Sequence, residues 1–313
     1  MTLTAELDAL RESAGVVDRS DRGAVLVTGP DAVPFLQSIV SADLDAVGEG
    51  EGAHSLLLTP QGKLDVDFRL LRVGADVWLD CDPEFGEQLA ASLNRFRIRV
   101  DCQVIDRSGQ WGSVAVRGRD AISAADHLGV RVPAAPHAHV PWEDAVVVRV
   151  PWPGGHGFDV VGPPASVQAA AERLAAAGVT RCSPEAYEAL RIDVGIPRQG
   201  FELDEKTIPQ EAFLDQDAVS FTKGCFLGQE LVARIDTRGH VNKYLRRLTN
   251  IEGGRPPRGA EIASGDKVVG TVTSTVTAPD IPAGALGYVR HEIDPPAEVD
   301  LRWDGGATRA TVA

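Results

Sequence analysis

Residues 55–71 read Ser-Leu-Leu-Leu-Thr-Pro-Gln-Gly-Lys-Leu-Asp-Val-Asp-Phe-Arg-Leu-Leu, a pattern that leaves little freedom of fold. A strand runs into a Pro60/Gly62 turn, and a second strand leaves it in strict alternation. Successive strand side chains point to opposite faces, so Leu64, Val66, Phe68 and Leu70 share one face and Asp65, Asp67 and Arg69 the other. One face needs a core, and the other is open to solvent or to a ligand.

The remaining elements extend this antiparallel layer into an α+β fold. Helices are expected over residues 4–14, with Leu7 and Leu10 apolar, and after Gly29-Pro30-Asp31, with Val33, Phe35, Leu36 and Ile39 as a buried stripe. Further helices are expected over 83–94 and 165–177, and from Ser183 as N-cap with Pro184 at the first helical position. Strands are expected at 16–18, 24–27, 76–81, 96–104, 111–116 and 145–150. After Tyr244 the texture changes to short alternating runs at 245–250, 261–263, 267–275, 285–289 and 299–303, separated by Gly/Pro turns, as in a small β-barrel. The expected division is a discontinuous domain of residues 1–50 with 140–243, a second domain of 51–139, and a barrel of 244–313.

A chain of 313 residues can bury a large core, and its net charge of −14 argues against a general nucleic-acid surface. No apolar run approaches the roughly 20 residues that cross a bilayer, and the first residues lack a basic, apolar leader. Cys81, Cys102, Cys182 and Cys225 lie far apart without a Cys-x-x-Cys pair, so a cytoplasmic, reducing setting without membrane attachment is expected. His137, His139 and His156 lack a third ligand at metal-site spacing, and no metal site is expected. Gly154-Gly155-His156-Gly157 reads as a tight hairpin turn.

Lys223-Gly-Cys-Phe-Leu-Gly-Gln-Glu230 is the most distinctive run. It leads into a helical pattern in which Leu231, Val232 and Ile235 share a face. A thiol in a tight loop ahead of a helix N-terminus, with an ammonium two residues away, is favoured as thiolate, while Glu230 opposes this. Cys225 and Lys223 are therefore the candidate reactive pair. Asp193 is a second oddity, because a negative charge in the last turn of a helix costs about 0.3–1 kcal/mol if exposed.

Lys-Gly-Cys-Phe-x-Gly-Gln-Glu resembles the signature of the YgfZ family, folate-binding proteins that support iron-sulfur cluster assembly or repair and, through it, tRNA modification. That family is related to the aminomethyltransferase, or T-protein, of the glycine cleavage system. Other segments resemble the same superfamily: Gly29-x-Asp31 with Phe35-Leu36 and Asp43, Thr59-Pro60-x-Gly62-Lys63 with Asp67, Leu190-Arg191-x-Asp193-x-Gly195, and Thr207-Ile208-Pro209-Gln210-Glu211. The resemblance spans nearly the whole chain. It implies a three-domain ring with tetrahydrofolate or another folate derivative in the central hole.

The resemblance also implies roles for residues. Asp67 faces the folate, Asp193 accepts hydrogen bonds from the pterin, and Gln229 and Glu230 extend the folate site. Tyr187 either stacks on the ring or packs in the core. T-proteins carry an acidic residue where this chain has Cys225, and an arginine where Ser220-Phe221-Thr222 stands. The basic stretch Arg234, Arg238, His240, Lys243, Arg246 and Arg247 suits a polyglutamyl tail or serves as ordinary helix-end cations. The leading expectation is a folate-binding protein that maintains iron-sulfur clusters through Cys225, with iron-sulfur client or scaffold proteins as partners. The alternatives are an aminomethyltransferase with Asp67 orienting the folate amine, and a folate-binding module without chemistry.

Overall fold

A computed structural model describes residues 1–153 and 155–313. The chain opens with α1 (Leu3–Glu12), whose Thr2 side chain accepts a hydrogen bond from the Ala5 amide, and β1 (Gly15–Asp18). It then crosses to a different sheet with β2 (Gly23–Thr28), α2 (Ala32–Ile39), β3 (Gly52–Leu58), β4 (Leu64–Val73), β5 (Asp76–Cys81), α3 (Gly86–Phe96) and β6 (Gln103–Asp106). It returns to the first sheet with β7 (Gly112–Arg117), α4 (Ala121–Ala124), β8 (His139–Trp142), β9 (Ala145–Trp152), β10 (Gly155–Gly162), α5 (Pro164–Ala176) and β11 (Thr180–Cys182).

The first sheet has the order β11-β1-β7-β10-β9-β8, with β1 and β11 parallel and the other pairs antiparallel. The second has the order β3-β4-β5-β2-β6 and is antiparallel throughout. Sheet membership does not follow the order of the chain. Residues 23–28 belong to the second sheet and 112–117 to the first, so the crossings fall near residues 19–22 and 107–111. The reason is pairing: β2 registers between β5 and β6, and β7 between β1 and β10.

The alternation in β4 has its physical outcome here. Leu64, Val66, Phe68 and Leu70 are almost fully buried; Val66, Phe68 and Leu70 join Phe35, Leu36 and Ile39 of α2 in the core of the second sheet. α5 covers the first sheet with Val167, Ala170 and Leu174 against Val116, Phe158 and Val160. The two sheets meet through Leu71, Val146, Val148 and Val161, beside stacked Trp78 and Trp111 rings with centroids 3.8 Å apart. The strand expected over 96–104 is not formed: α3 runs to Phe96, Ile98 is 73% exposed, and pairing resumes only at β6. The turn expected at Gly154 lies in part outside the described residues; β9 and β10 pair antiparallel on either side of it.

α6 (Pro184–Val194) starts at Ser183, whose hydroxyl accepts from the Ala186 amide, and ends at Gly195 in the left-handed region, φ 82°. A long connection with the short α7 (Asp215–Ala218) leads to α8 (Gln229–Arg238). The C-terminal part is a closed barrel of β12 (Lys243–Glu252), β13 (Glu261–Ser264), β14 (Lys267–Thr275), β15 (Ala285–Arg290), β16 (Ala297–Trp303) and β17 (Gly306–Val312). The sequence pattern anticipated five of these strands; the polar β17 is the sixth and closes onto β12. Arg191 of α6 docks the barrel, since its Nη2 donates to Ser274 Oγ while Nη1 donates to Glu202. Among the described residues no helix is long and apolar enough to cross a membrane.

Candidate functional site

A cavity of about 950 Å³ opens between the two sheets. Its walls come from both sheets, from the 18–22 crossing, from α6 and from the 195–217 connection. β4 presents Asp67 and Arg69 to it, as alternation requires of residues two apart. α6 presents Pro184, Tyr187, Glu188 and Arg191, the spacing of one helical face, with Gly195 continuing it.

The Asp67 carboxylate is held by His54, whose Nε2 lies 2.5 Å from Oδ1, and the Asp67 amide donates to Gln199 Oε1. Burial alone would lower the His54 pKa, but the Asp67 charge and hydrogen bond outweigh it and raise the value above the usual 6.5. His137 goes the other way: burial, with Arg69 and His54 nearby, pulls it down to about 3. Tyr187 packs against Trp152 with ring centroids 5.6 Å apart, and the Arg19 guanidinium lies 4.5 Å from the Tyr187 centroid.

Charged side chains cross the cavity wall in an alternating series. Arg22 bonds Asp80 and Asp82, Arg69 bonds Asp80 and Asp159, and Arg117 Nη1 lies 2.8 Å from Asp159 Oδ1. Arg22, Arg69 and Asp80 belong to the second sheet or its approach, and Arg117 and Asp159 to the first. Burial would raise the Asp159 pKa, but Arg117 and Arg69 outweigh it and hold the value at about 2. Buried atoms without a protein partner include Arg117 Nε and His137 Nδ1, both on residues that line the cavity.

The residues singled out from sequence separate into two groups. Asp67 and Tyr187 line the cavity; Asp193, Lys223, Cys225, Gln229 and Glu230 do not. Asp193 lies about 200° around α6 from Arg191, and its carboxylate pairs with Arg11 at 2.6 Å. Arg11 is what favours an acid in that last turn. The carboxylate that α6 sends into the cavity is Glu188, five residues earlier, and Arg191 and Arg198 are its partners.

Lys223 does not serve the thiol. Its Nζ donates to the backbone oxygens of Gln37, Val40 and Ala42 at 2.7–2.8 Å, closing the C-terminal end of α2. Burial pulls this ammonium down to about 8, against Asp43 and Asp45. Gln229 Oε1 accepts from the Phe226 amide, Phe226 is buried, and Gly228 holds φ 77° ahead of α8. Cys225 and Glu230 are exposed.

Three cations of the basic stretch are committed elsewhere, while Arg234, Arg238 and His240 are exposed and do not line the cavity. Lys243 lies 4.1 Å from the Tyr288 ring centroid, Arg246 stacks on Phe213 and Tyr244, and Arg247 donates to Asp193 O. The cations in the cavity are Arg19, Arg22, Arg69, Arg117, Arg191 and Arg198. Only Arg69, by alternation with Asp67, and Arg191, beside the acidic position of its motif, carried a sequence signal. The others come from turns and strands that the fold alone brings together.

A family model described as the GCVT N-terminal domain matches residues 1–223. An aminomethyltransferase from Rubrobacter xylanophilus is 29% identical over 308 residues, covering 96% of this chain and 82% of that protein. One from Synechocystis sp. is 27% identical over 310 residues, covering 93% and 81%. Among solved structures, the glycine cleavage system aminomethyltransferase T from Bartonella henselae matches with a TM-score of 0.86 at 24% identity, over 99% of this chain and 88% of that one.

Proposed function

The chain belongs to the GCVT N-terminal domain family, and on that premise we propose that it binds a reduced folate between the two sheets and acts as a tetrahydrofolate-dependent aminomethyltransferase. Relatives that align over nearly the whole chain carry that name. The observation that carries the reading is Asp67 in the cavity wall, its carboxylate held by His54 and its backbone amide by Gln199.

The cavity suits a folate. Its volume falls at the upper end of the range of roughly 300–1,000 Å³ for small-molecule sites. Tyr187 and Trp152 offer aromatic faces for a flat ring, and Arg117 Nε and His137 Nδ1 are free to bond a polar heterocycle. Arg19 and Arg198 are the cavity cations with only long ion pairs, of 3.7–4.0 Å, and are suited to glutamyl carboxylates. The folate supplies the amines that take up the one-carbon unit, while the C–S and C–N bonds of the carrier-bound aminomethyl group break and the carrier thiol and ammonia leave with the amine protons. Asp67 accepts a hydrogen bond from one amine and turns its lone pair toward the carrier-bound aminomethyl group, a positioning and proton-handling role. The sheets exclude water from the wall behind it.

The test is transfer from an aminomethyl-loaded lipoyl carrier protein to tetrahydrofolate by wild type and Asp67→Asn. The substitution is expected to lower kcat by about 100-fold or more, with folate affinity changed far less. Tetrahydrofolate binding without Asp67-dependent transfer would leave only a folate-binding module.

A second reading, iron-sulfur cluster maintenance of the YgfZ kind with client or scaffold proteins, draws support from one observation. Within Lys223–Glu230, Lys223, Phe226, Gly228 and Gln229 have structural tasks, whereas Cys225 is exposed. Complementation of a strain lacking a family member decides this reading: loss of iron-sulfur enzyme activity with Cys225→Ala but not with Asp67→Asn would favour it over transfer.

A further inference from the structure

Asp67 differs from the paired carboxylates in and behind the cavity wall in the kind of partner it has. Asp80 is held by Arg22 and Arg69, Asp82 by Arg22, Asp159 by Arg69 and Arg117, and Glu188 by Arg191. Guanidinium groups stay charged at any working pH. Asp67 is held by a histidine, and among the described residues no other side chain reaches its carboxylate.

The arrangement follows from strand register. Leu56 of β3 pairs with Asp67 of β4 and His54 with Arg69, so His54 reaches Asp67 along the diagonal of the same sheet face. Both side chains line the cavity and are less than a quarter exposed. The charged and titratable groups around His54 are Asp67 and Arg69 on β4, Asp217 on α7, Arg22 in the crossing and His137 ahead of β8.

We propose that His54 is the positioning residue for Asp67, donating its Nε2–H to Oδ1 so that the second carboxylate oxygen faces the cavity as a hydrogen-bond acceptor for the ligand. The inference rests on the folate-transfer reading and deepens it. As imidazolium, His54 holds the carboxylate both ionised and oriented. Once it loses the Nδ1 proton, the Nε2–H bond to Oδ1 remains but the positive charge that steadies the ionised carboxylate is gone. Burial opposes the charged form, but Asp67 and Asp217 favour it more strongly, so the change falls on the alkaline side of an ordinary histidine. His137 is already neutral there and does not contribute.

The first arm uses the protein without ligand. Histidine ring NMR titration should give His54 a pKa above its usual value, and a clearly lower one in Asp67→Asn. The second arm is the pH profile of kcat/KM for transfer. His54→Gln, whose amide donates but does not titrate in this range, should keep activity within about tenfold at neutral pH and flatten the alkaline limb. His54→Phe should lose about 100-fold, and His137→Gln should leave the limb where it is. A His54→Gln profile with the wild-type limb, or a His54 titration indifferent to Asp67→Asn, overturns the proposal. If the wild type shows no transfer, the transferase reading fails on its own. The NMR arm and the pH dependence of tetrahydrofolate binding in wild type and His54→Gln then decide the role of His54.

Discussion

Lys223 and Cys225 stand two residues apart and have opposite circumstances. The ammonium is fully engaged by three backbone oxygens of the α2 terminus, while the thiol is exposed. The other three thiols are buried; burial raises Cys81 and Cys102 above the usual range and pushes Cys182 up to about 12. Iodoacetamide should therefore label Cys225 first in the native protein, as read by peptide mass spectrometry, and Cys225→Ser should change stability by less than about 0.5 kcal/mol. Faster labelling of any other cysteine would contradict this. The sequence identified the conspicuous motif but not which atoms each side chain meets. A lysine near a thiol looks the same whether it faces sulfur or carbonyl oxygens, and only the packing of the loop on residues 37–42 separates the two.

At the scale of elements, the signature loop is fitted to the β3–β4 turn by two glycines. Gly62 has φ 74° and Gly228 φ 77°, and a Cβ on Gly228 would lie 2.3 Å from Thr59 O and 3.1 Å from the Gly62 Cα. Gly228→Ala should cost roughly 1–3 kcal/mol in urea unfolding. Gly224→Ala should stay within about 0.5 kcal/mol, because open space surrounds that position and its backbone lies outside the left-handed region. Equal losses would contradict this account. Alternation in β4 and the cap of α6 were legible because they depend on local period and on one hydroxyl. The face of α6 that meets the cavity was not, since it depends on where the barrel and first sheet dock, and so Glu188 was missed in favour of Asp193. Residues 96–100 alternate like a strand, yet Phe96 still belongs to α3 and pairing begins only at Gln103, where β6 meets β2.

For the whole molecule, the alternating arginine and aspartate series joins the sheets, and Asp159 is its link across them. Asp159→Asn leaves Arg69 and Arg117 buried without that charge and should cost about 3–5 kcal/mol. Because the Asp159 pKa is depressed on folding, its contribution is complete above the unfolded value of 3.8 and is lost as pH falls toward about 2. Urea midpoints should thus drop between pH 5 and pH 2 in the wild type, and less steeply in Asp159→Asn. Equal slopes would remove Asp159 from this role. The three-part α+β architecture and the terminal barrel were readable from texture, whereas the cross-sheet charges were not, because their members come from residues 22 to 159.

The two crossings near residues 20 and 110 nest one sheet inside the other along the chain. During synthesis, the inner sheet has all of its strands once residue 106 has left the ribosome. β1, made far earlier, waits for β7 and then for β11 at Thr180–Cys182. The growing polypeptide therefore carries an unpartnered amino-terminal strand until β7 has been made and a half-paired one until β11, and no cut between residues 18 and 112 yields two self-sufficient fragments.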